Sequence, residues 1–162
     1  MPQALRQAVQ FWRLEQLETR QLLSAVVTTD QPDYAPGSTA VFAATTDGGS
    51  TNNFLPGETI EFDVARTDGI AIHSPPAVTK FDVTDGVSGF ASYQDSNGTW
   101  IYPDLDGLAN GAVQANWYVD PQFAGASLQV TATGLTSGQT ATADFTDAIT
   151  LDSVSVGAQS GN

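Results

Sequence analysis

Residues 111–147, GAVQANWYVD PQFAGASLQV TATGLTSGQT ATADFTD, decide the fold class. From Val113 the residues alternate. Val113, Ala115, Trp117 and Val119 fall on one side, and Gln114, Asn116, Tyr118 and Asp120 on the other. After Asp120-Pro121 the alternation resumes with Leu128, Val130 and Ala132. After Gly134–Gly138 it resumes again with Ala141, Ala143 and Phe145. Successive side chains of a β-strand point to opposite faces, so each segment has one apolar and one polar face. Three such strands joined by short turns read as a meander that lays an apolar face onto the rest of the chain.

Upstream segments supply candidates for that cover. Pro36-Gly37 and Pro56-Gly57 suit the centres of type II turns, and each leads into a strand. The first strand, Ser38–Thr45, contains Ala40-Val41-Phe42-Ala43-Ala44, too uniformly apolar for its faces to be assigned. The second places Ile60, Phe62 and Val64 inward against Thr59, Glu61 and Asp63. Thr79, Phe81 and Val83 alternate with Lys80 and Asp82 in a third, and Val26–Asp30 forms a short first strand. Residues 85–110 are the least regular part, punctuated by Asp85-Gly86, Ser96-Asn97-Gly98 and Asp106-Gly107 turn signals. The sum is about seven to eight short strands with turn signals every 8–12 residues, the pattern of an all-β sandwich or small barrel. Trp117 and Phe62 are the expected inter-sheet contacts.

Residues 1–25 differ from everything after them. Gln, Leu, Arg, Glu and Ala dominate, and no glycine occurs before Gly37. These are good helix formers. Ala4/Leu5, Ala8/Val9 and Phe11/Trp12 fall on one helical stripe. Arg13, Glu15, Glu18 and Arg20 interrupt the apolar core that an ordinary secretory signal requires.

The chain has 162 residues, no cysteine and a net charge of −13. Arg6, Arg13 and Arg20 lie in the first segment. Beyond Ala25 only Arg66 and Lys80 are basic, against sixteen acidic residues. Such a surface repels phosphate backbones and argues against nucleic-acid partners. Without cysteine there are no disulfides or thiolate metal sites. No apolar run approaches the ~18–20 residues of a membrane helix.

Two resemblances carry a functional expectation. Leu14–Ala25 resembles the LEPR-XLL segment near the N-terminus of large bacterial surface proteins, matching at Leu17, Glu18, Arg20, Leu22 and Leu23, followed by Ser24-Ala25. Thr19 stands where that pattern has Pro. The resemblance implies an export or sorting role. Thr29–Ala40, Leu55–Thr59, Asn116–Pro121, Leu128–Gly134 and Phe145–Ala148, in that order, resemble an immunoglobulin-like module repeated in large secreted bacterial proteins. Residues 70–110 are longer than in the usual module. This resemblance implies an immunoglobulin-like β-sandwich acting as a structural or adhesive unit, with no catalytic residues to carry over. The expected division is a sorting-like helical segment at 1–25, the sandwich at 26–148, and a tail at 149–162. The tail is similar to the opening of a further repeat.

The expected function is therefore a non-catalytic structural or adhesive module, extracellular or at the cell surface. It would need no cofactor, and its partners would be neighbouring modules or cell-envelope and matrix components. A carbohydrate- or calcium-dependent binder is the alternative, and a hydrolase the distant one. Asp104, Asp106 and Asn110 open a calcium-loop-like spacing, without the distal Glu that completes such loops. Trp100, between Asn97-Gly98-Thr99 and Tyr102-Pro103, is the aromatic placed where a sugar ring could stack. His73, the single histidine, has no sequence-level base or metal partner. Nothing marks a pair of facing carboxylates for glycoside hydrolysis.

Overall fold

The computed structural model describes residues 24–46, 53–72 and 77–149. They form two β-sheets packed face to face. Three strands make the smaller sheet: β1 (Ala25–Thr29), β3 (Thr39–Thr46) and β8 (Val113–Tyr118), in the order β1-β3-β8. Seven make the larger: β2 (Asp33–Tyr34), β4 (Thr59–Arg66), β5 (Lys80–Thr84), β6 (Tyr93–Gln94), β7 (Trp100–Tyr102), β9 (Ser127–Gly134) and β10 (Thr140–Asp147). Their order is β2-β10-β9-β4-β5-β7-β6. Pairing is antiparallel except at β10–β2 and β5–β7. Among the described residues, no helix is long and apolar enough to cross a membrane.

The all-β, two-sheet expectation holds, and the assignment of strands to sheets does not. Residues 113–147 are not a meander. β9 and β10 pair with each other in the larger sheet, whereas β8 pairs with β3 in the smaller one. The expected cover is redistributed accordingly. Residues 39–46 lie beside β8, while β4 and β5 lie beside β9 and each other. The cause is local. Asp120 caps a single 3-10 turn, Pro121–Phe123, accepting the Gln122 N–H at 2.9 Å. That turn swings the chain across the sandwich and drives Phe123 into the core against Trp117, with ring centroids 5.5 Å apart.

Ten strands are present among the described residues where seven or eight are expected, because β2, β6 and β7 have only two or three residues each. So short a strand leaves no alternation to read. The expected N-terminal helix and the tail lie outside the described residues, except that Ser24 and Ala25 lead into β1 and Ile149 follows β10.

The core is aromatic. Phe42 of the smaller sheet stacks on Phe62 and Phe81 of the larger, with centroids 6.1 and 6.4 Å apart, and on Trp117 at 5.5 Å. Trp117 is fully buried, and its indole N–H donates to the Val78 carbonyl at 2.7 Å. A buried indole is tolerated when its polar tip finds such a partner. Phe42 also settles the ambiguous strand: Ala40, Phe42 and Ala44 face in, and Thr39, Val41 and Ala43 face out. Both Pro-Gly pairs form the expected turns. Ser38 N–H bonds to Ala35 O, Glu58 N–H bonds to Leu55 O, and Gly37 and Gly57 adopt φ of 81° and 78°.

Candidate functional site

The residues that the sequence singles out do not converge. Leu17, Glu18, Arg20, Leu22 and Leu23 lie outside the described residues, as do Trp12 and His73. Asp104, Asp106 and Asn110 are described, and their oxygens are turned to the backbone. Asp104 is fully buried and accepts the amides of Gly86 at 2.9 Å and Gln114 at 3.1 Å. Asp106 accepts Leu108 N–H and Asn110 accepts Ala112 N–H, each at 2.8 Å. The spacing that resembles the start of a calcium loop is spent on backbone amides, Asp104 on two distant ones and Asp106 and Asn110 on those two residues ahead. Among the described residues, no three His, Cys, Asp or Glu side chains gather as a metal-binding group.

Trp100 is not on a loop. It begins β7, which pairs in parallel with β5, Phe81 opposite Trp100 and Val83 opposite Tyr102. Residues two apart share a face, and Tyr102 stacks on buried Phe81 at 4.3 Å. Trp100 therefore faces inward, packed against the core.

The opposite face of those strands carries a cleft of about 350 Å³, lined by Glu61, Lys80, Asp82, Asn97, Gly98 and Thr99. Strand register builds it. Glu61 on β4 stands directly opposite Asp82 on β5, and Asp63 opposite Lys80. Like charges facing each other across strands repel. Lys80 relieves this by reaching diagonally to Glu61 Oε1 at 3.0 Å. The far wall is the β6–β7 turn. There Asp95 Oδ1 accepts the amides of Asn97 and Thr99, and Gly98 takes the left-handed conformation that closes the turn. Asp82 Oδ1 is buried without a hydrogen-bond partner. Burial pushes the Asp82 carboxyl up, Glu61 and Asp95 add to the push, and Lys80 partly counters it. The cleft thus offers carboxylate acceptors beside ammonium, amide and hydroxyl donors, with no aromatic ring in its lining.

Sequence reasoning did not foresee the burial of four carboxylates, Glu58, Asp85, Asp104 and Asp147. Three of them tie loops together at one end of the sandwich. Glu58 accepts the amides of Leu55, Thr136 and Ser137 and the Ser137 hydroxyl. Asp85 Oδ2 accepts the amides of Gly57 at 2.7 Å and Gly111 at 2.8 Å. Asp104 joins the 86 turn to β8. Asp85-Gly86 reads as a turn signal and Asp104-Leu105-Asp106 as the opening of a calcium-like loop, and the long-range amides that bury Asp85 and Asp104 leave no local signature.

Asp147, at the other end, is the exception. It is buried at the end of β10, and neither oxygen has a hydrogen-bond partner. Burial, with Asp33 nearby, pushes its carboxyl up to about 6. The native state takes up this proton near pH 6 and the unfolded chain only near 3.8, so Asp147 costs stability at neutral pH and this cost disappears on acidification. Wild type should therefore gain stability as pH falls from 7.5 towards 5. Asp147→Asn should remove that gain and raise the pH 7.5 stability by about 1–2 kcal/mol. Thermal melts of both proteins across this range check it, and parallel pH profiles would refute it.

Compared with models of known protein families and with curated proteins, the chain matches none.

Proposed function

We propose that this chain is a non-catalytic structural or adhesive module of a bacterial secreted or cell-surface protein, with an immunoglobulin-like sandwich following a sorting segment at Leu17–Leu23. The observation that carries this reading is the use made of buried carboxylates. Glu58, Asp85 and Asp104 all hold loops through backbone amides. These acidic side chains serve as tethers that stiffen a sandwich, the property asked of a load-transmitting unit. The strongly acidic surface fits a role away from nucleic acid. Its partners would be neighbouring modules or envelope and matrix components.

A binding role is the second reading, and the Glu61–Asp82 cleft favours it. Its donors and acceptors suit a polyhydroxylated ligand such as a glycan, held by hydrogen bonds without stacking. This moves the glycan hypothesis away from Trp100 and onto the outer face of β4 and β5.

Fractionation of cells producing the tagged chain tests the first reading. The protein should appear in the medium or envelope fraction and become accessible to added protease. Replacing Leu22 and Leu23 with Asp should retain it inside. A cytoplasmic wild-type protein would sink the proposal. Titration against a glycan array, with Asp82→Ala as control, tests the second.

A further inference from the structure

The two sheets differ in width. β8 is the last strand of the smaller sheet and lies over β5, while the larger sheet runs on past β5 to β7 and β6. No strand of the smaller sheet lies above those two. Trp100 and Tyr102 on the inner face of β7 are only partly buried, and Gln94, opposite Trp100 on β6, is exposed. The sandwich therefore has a step along β8, with an aromatic floor.

The wall of the step is a strand edge. Antiparallel strands turn the N–H and C=O of alternate residues to opposite sides. On β3, Val41 turns its pair to Asp30, on the β1 side. Ala40, Phe42 and Ala44 therefore face β8, where they meet Trp117, Ala115 and Val113. Gln114, Asn116 and Tyr118 point the other way, over the step. The loop after β7 takes the first of them: Leu105 N–H bonds to Gln114 O, and Asp104 Oδ1 accepts Gln114 N–H. Among the described residues, nothing bonds the N–H and C=O of Asn116 and Tyr118. Each offers one donor and one acceptor. Residues 115–119 thus present ~17 Å of unpaired edge.

The other edges are guarded. β1 packs along β10, and β2 and β6 are two residues long. Very short edge strands give little to pair with, and charged side chains or proline deter pairing. β8 has none of these protections: it runs for six residues, VQANWY, without charge or proline. The whole outer face of the smaller sheet is Val, Thr, Ala, Gln, Asn and Tyr. Glu61, Asp63, Asp82 and Asp144 lie on the outer face of the other sheet.

This geometry selects the occupant. Backbone groups spaced two residues apart are satisfied by another extended chain. A second copy presenting its own β8 does not fit, because its larger sheet would run into β7 and β6. A single strand with no layer beneath it does fit. One of its faces rests on Trp100 and Tyr102, and the other continues the uncharged outer face. The net charge of −13 disfavours an acidic partner. We propose that β8 is a strand-addition site: an extended segment of another polypeptide, alternating apolar and polar and free of acidic residues, pairs with Asn116 and Tyr118 as the fourth strand of the smaller sheet.

A synthetic peptide of alternating Thr and Val, flanked by lysines, is the probe, and amide exchange in the full chain reads the edge. Without peptide, Asn116 and Tyr118 should exchange fast, and Ala115 and Trp117, bonded to β3, slowly. Millimolar peptide should slow Asn116 and Tyr118 by about tenfold or more. The same peptide N-methylated at every Thr and Val keeps its side chains and charge but has no donors there, and should protect neither. Asn116→Pro removes a donor from the open side and leaves the β3 ladder intact. In that variant the peptide should no longer protect Tyr118, while slow Trp117 exchange shows that the sheet is whole. No protection by the peptide, equal protection by its methylated form, or undiminished protection in Asn116→Pro would overturn the proposal. So would slow exchange of Asn116 and Tyr118 without peptide, whether at every dilution or rising with protein concentration, because the chain itself or a second copy would then hold the edge.

Discussion

Trp117→Ala should unfold the sandwich at moderate temperature. Trp117 is fully buried on β8 and touches aromatic rings of both sheets and of the connecting turn: Phe42 at 5.5 Å, Phe145 at 6.1 Å and Phe123 at 5.5 Å. Truncating a buried Trp to Ala typically costs about 3–5 kcal/mol, from lost burial and from the cavity left behind. Here a second cost is added, because the Val78 carbonyl loses its donor. Against a total stability of about 5–15 kcal/mol, that is a large fraction. The melting temperature should fall by about 10–20 °C, if the variant folds at all. Trp117→Phe separates the two costs. It keeps an aromatic ring between Phe42 and Phe123 and loses only the hydrogen bond and some volume, so it should stay folded with a smaller loss. Chemical denaturation of the three proteins is the measurement. A Trp117→Ala variant melting within a few degrees of wild type would show that the two sheets are held together by something other than this cluster.

The same residue shows where the sequence is readable. Alternation places Trp117, Phe62 and Phe81 inward without knowledge of their partners, because which face is apolar is a local property of a strand. Which sheet a strand joins is not local. β8, β9 and β10 have similar patterns, yet Asp120 and Pro121 divert the chain between sheets, and that diversion looks in sequence like any short turn. The strand Thr39–Thr46 is ambiguous for a different reason. Val41 and Ala43, on the outer face, are apolar enough to mask the period, and only the stack on Phe42 resolves it. The candidate site is harder still. Glu61 and Asp82 are twenty-one positions apart and become neighbours through β4–β5 register, while Asn97 and Thr99 reach the cleft through the parallel β5–β7 pairing. Trp100 reads as a loop residue because two turn-like neighbours disguise a three-residue strand.

Glu58→Ala should be the most damaging change at a charged position, and its effect should be local before it is global. Pro36-Gly37-Ser38-Thr39 and Pro56-Gly57-Glu58-Thr59 share Pro, Gly and Thr and form the same turn into a strand, but the residue after the glycine differs. The Glu58 carboxylate accepts four hydrogen bonds, from Leu55 N–H, Thr136 N–H, Ser137 N–H and Ser137 Oγ–H, and so ties the β3–β4 connection to the β9–β10 turn. The fit is close: a methyl group at Gly134 would sit 2.7 Å from Glu58 Oε1. Burial alone would raise the Glu58 carboxyl, but these donors outweigh it and hold it below its ordinary value. A group with a depressed folded pKa stabilises the native state above its unfolded value, near 4.5, and that stability is lost as pH falls through the folded value. The sign is opposite to that of Asp147, so acidification first relieves one end of the sandwich and then loosens the other. Removing the carboxylate leaves three amides without acceptors at a partly solvated turn, a loss of about 3 kcal/mol. Amide exchange of Thr136 and Ser137 should rise first, at temperatures where β4 and β9 remain protected. Glu58→Gln retains one acceptor but points amide hydrogens at the same donors, so it should recover little. If Glu58→Gln melts with wild type, shape and not charge holds this turn, and the reading of buried carboxylates as tethers loses its best example.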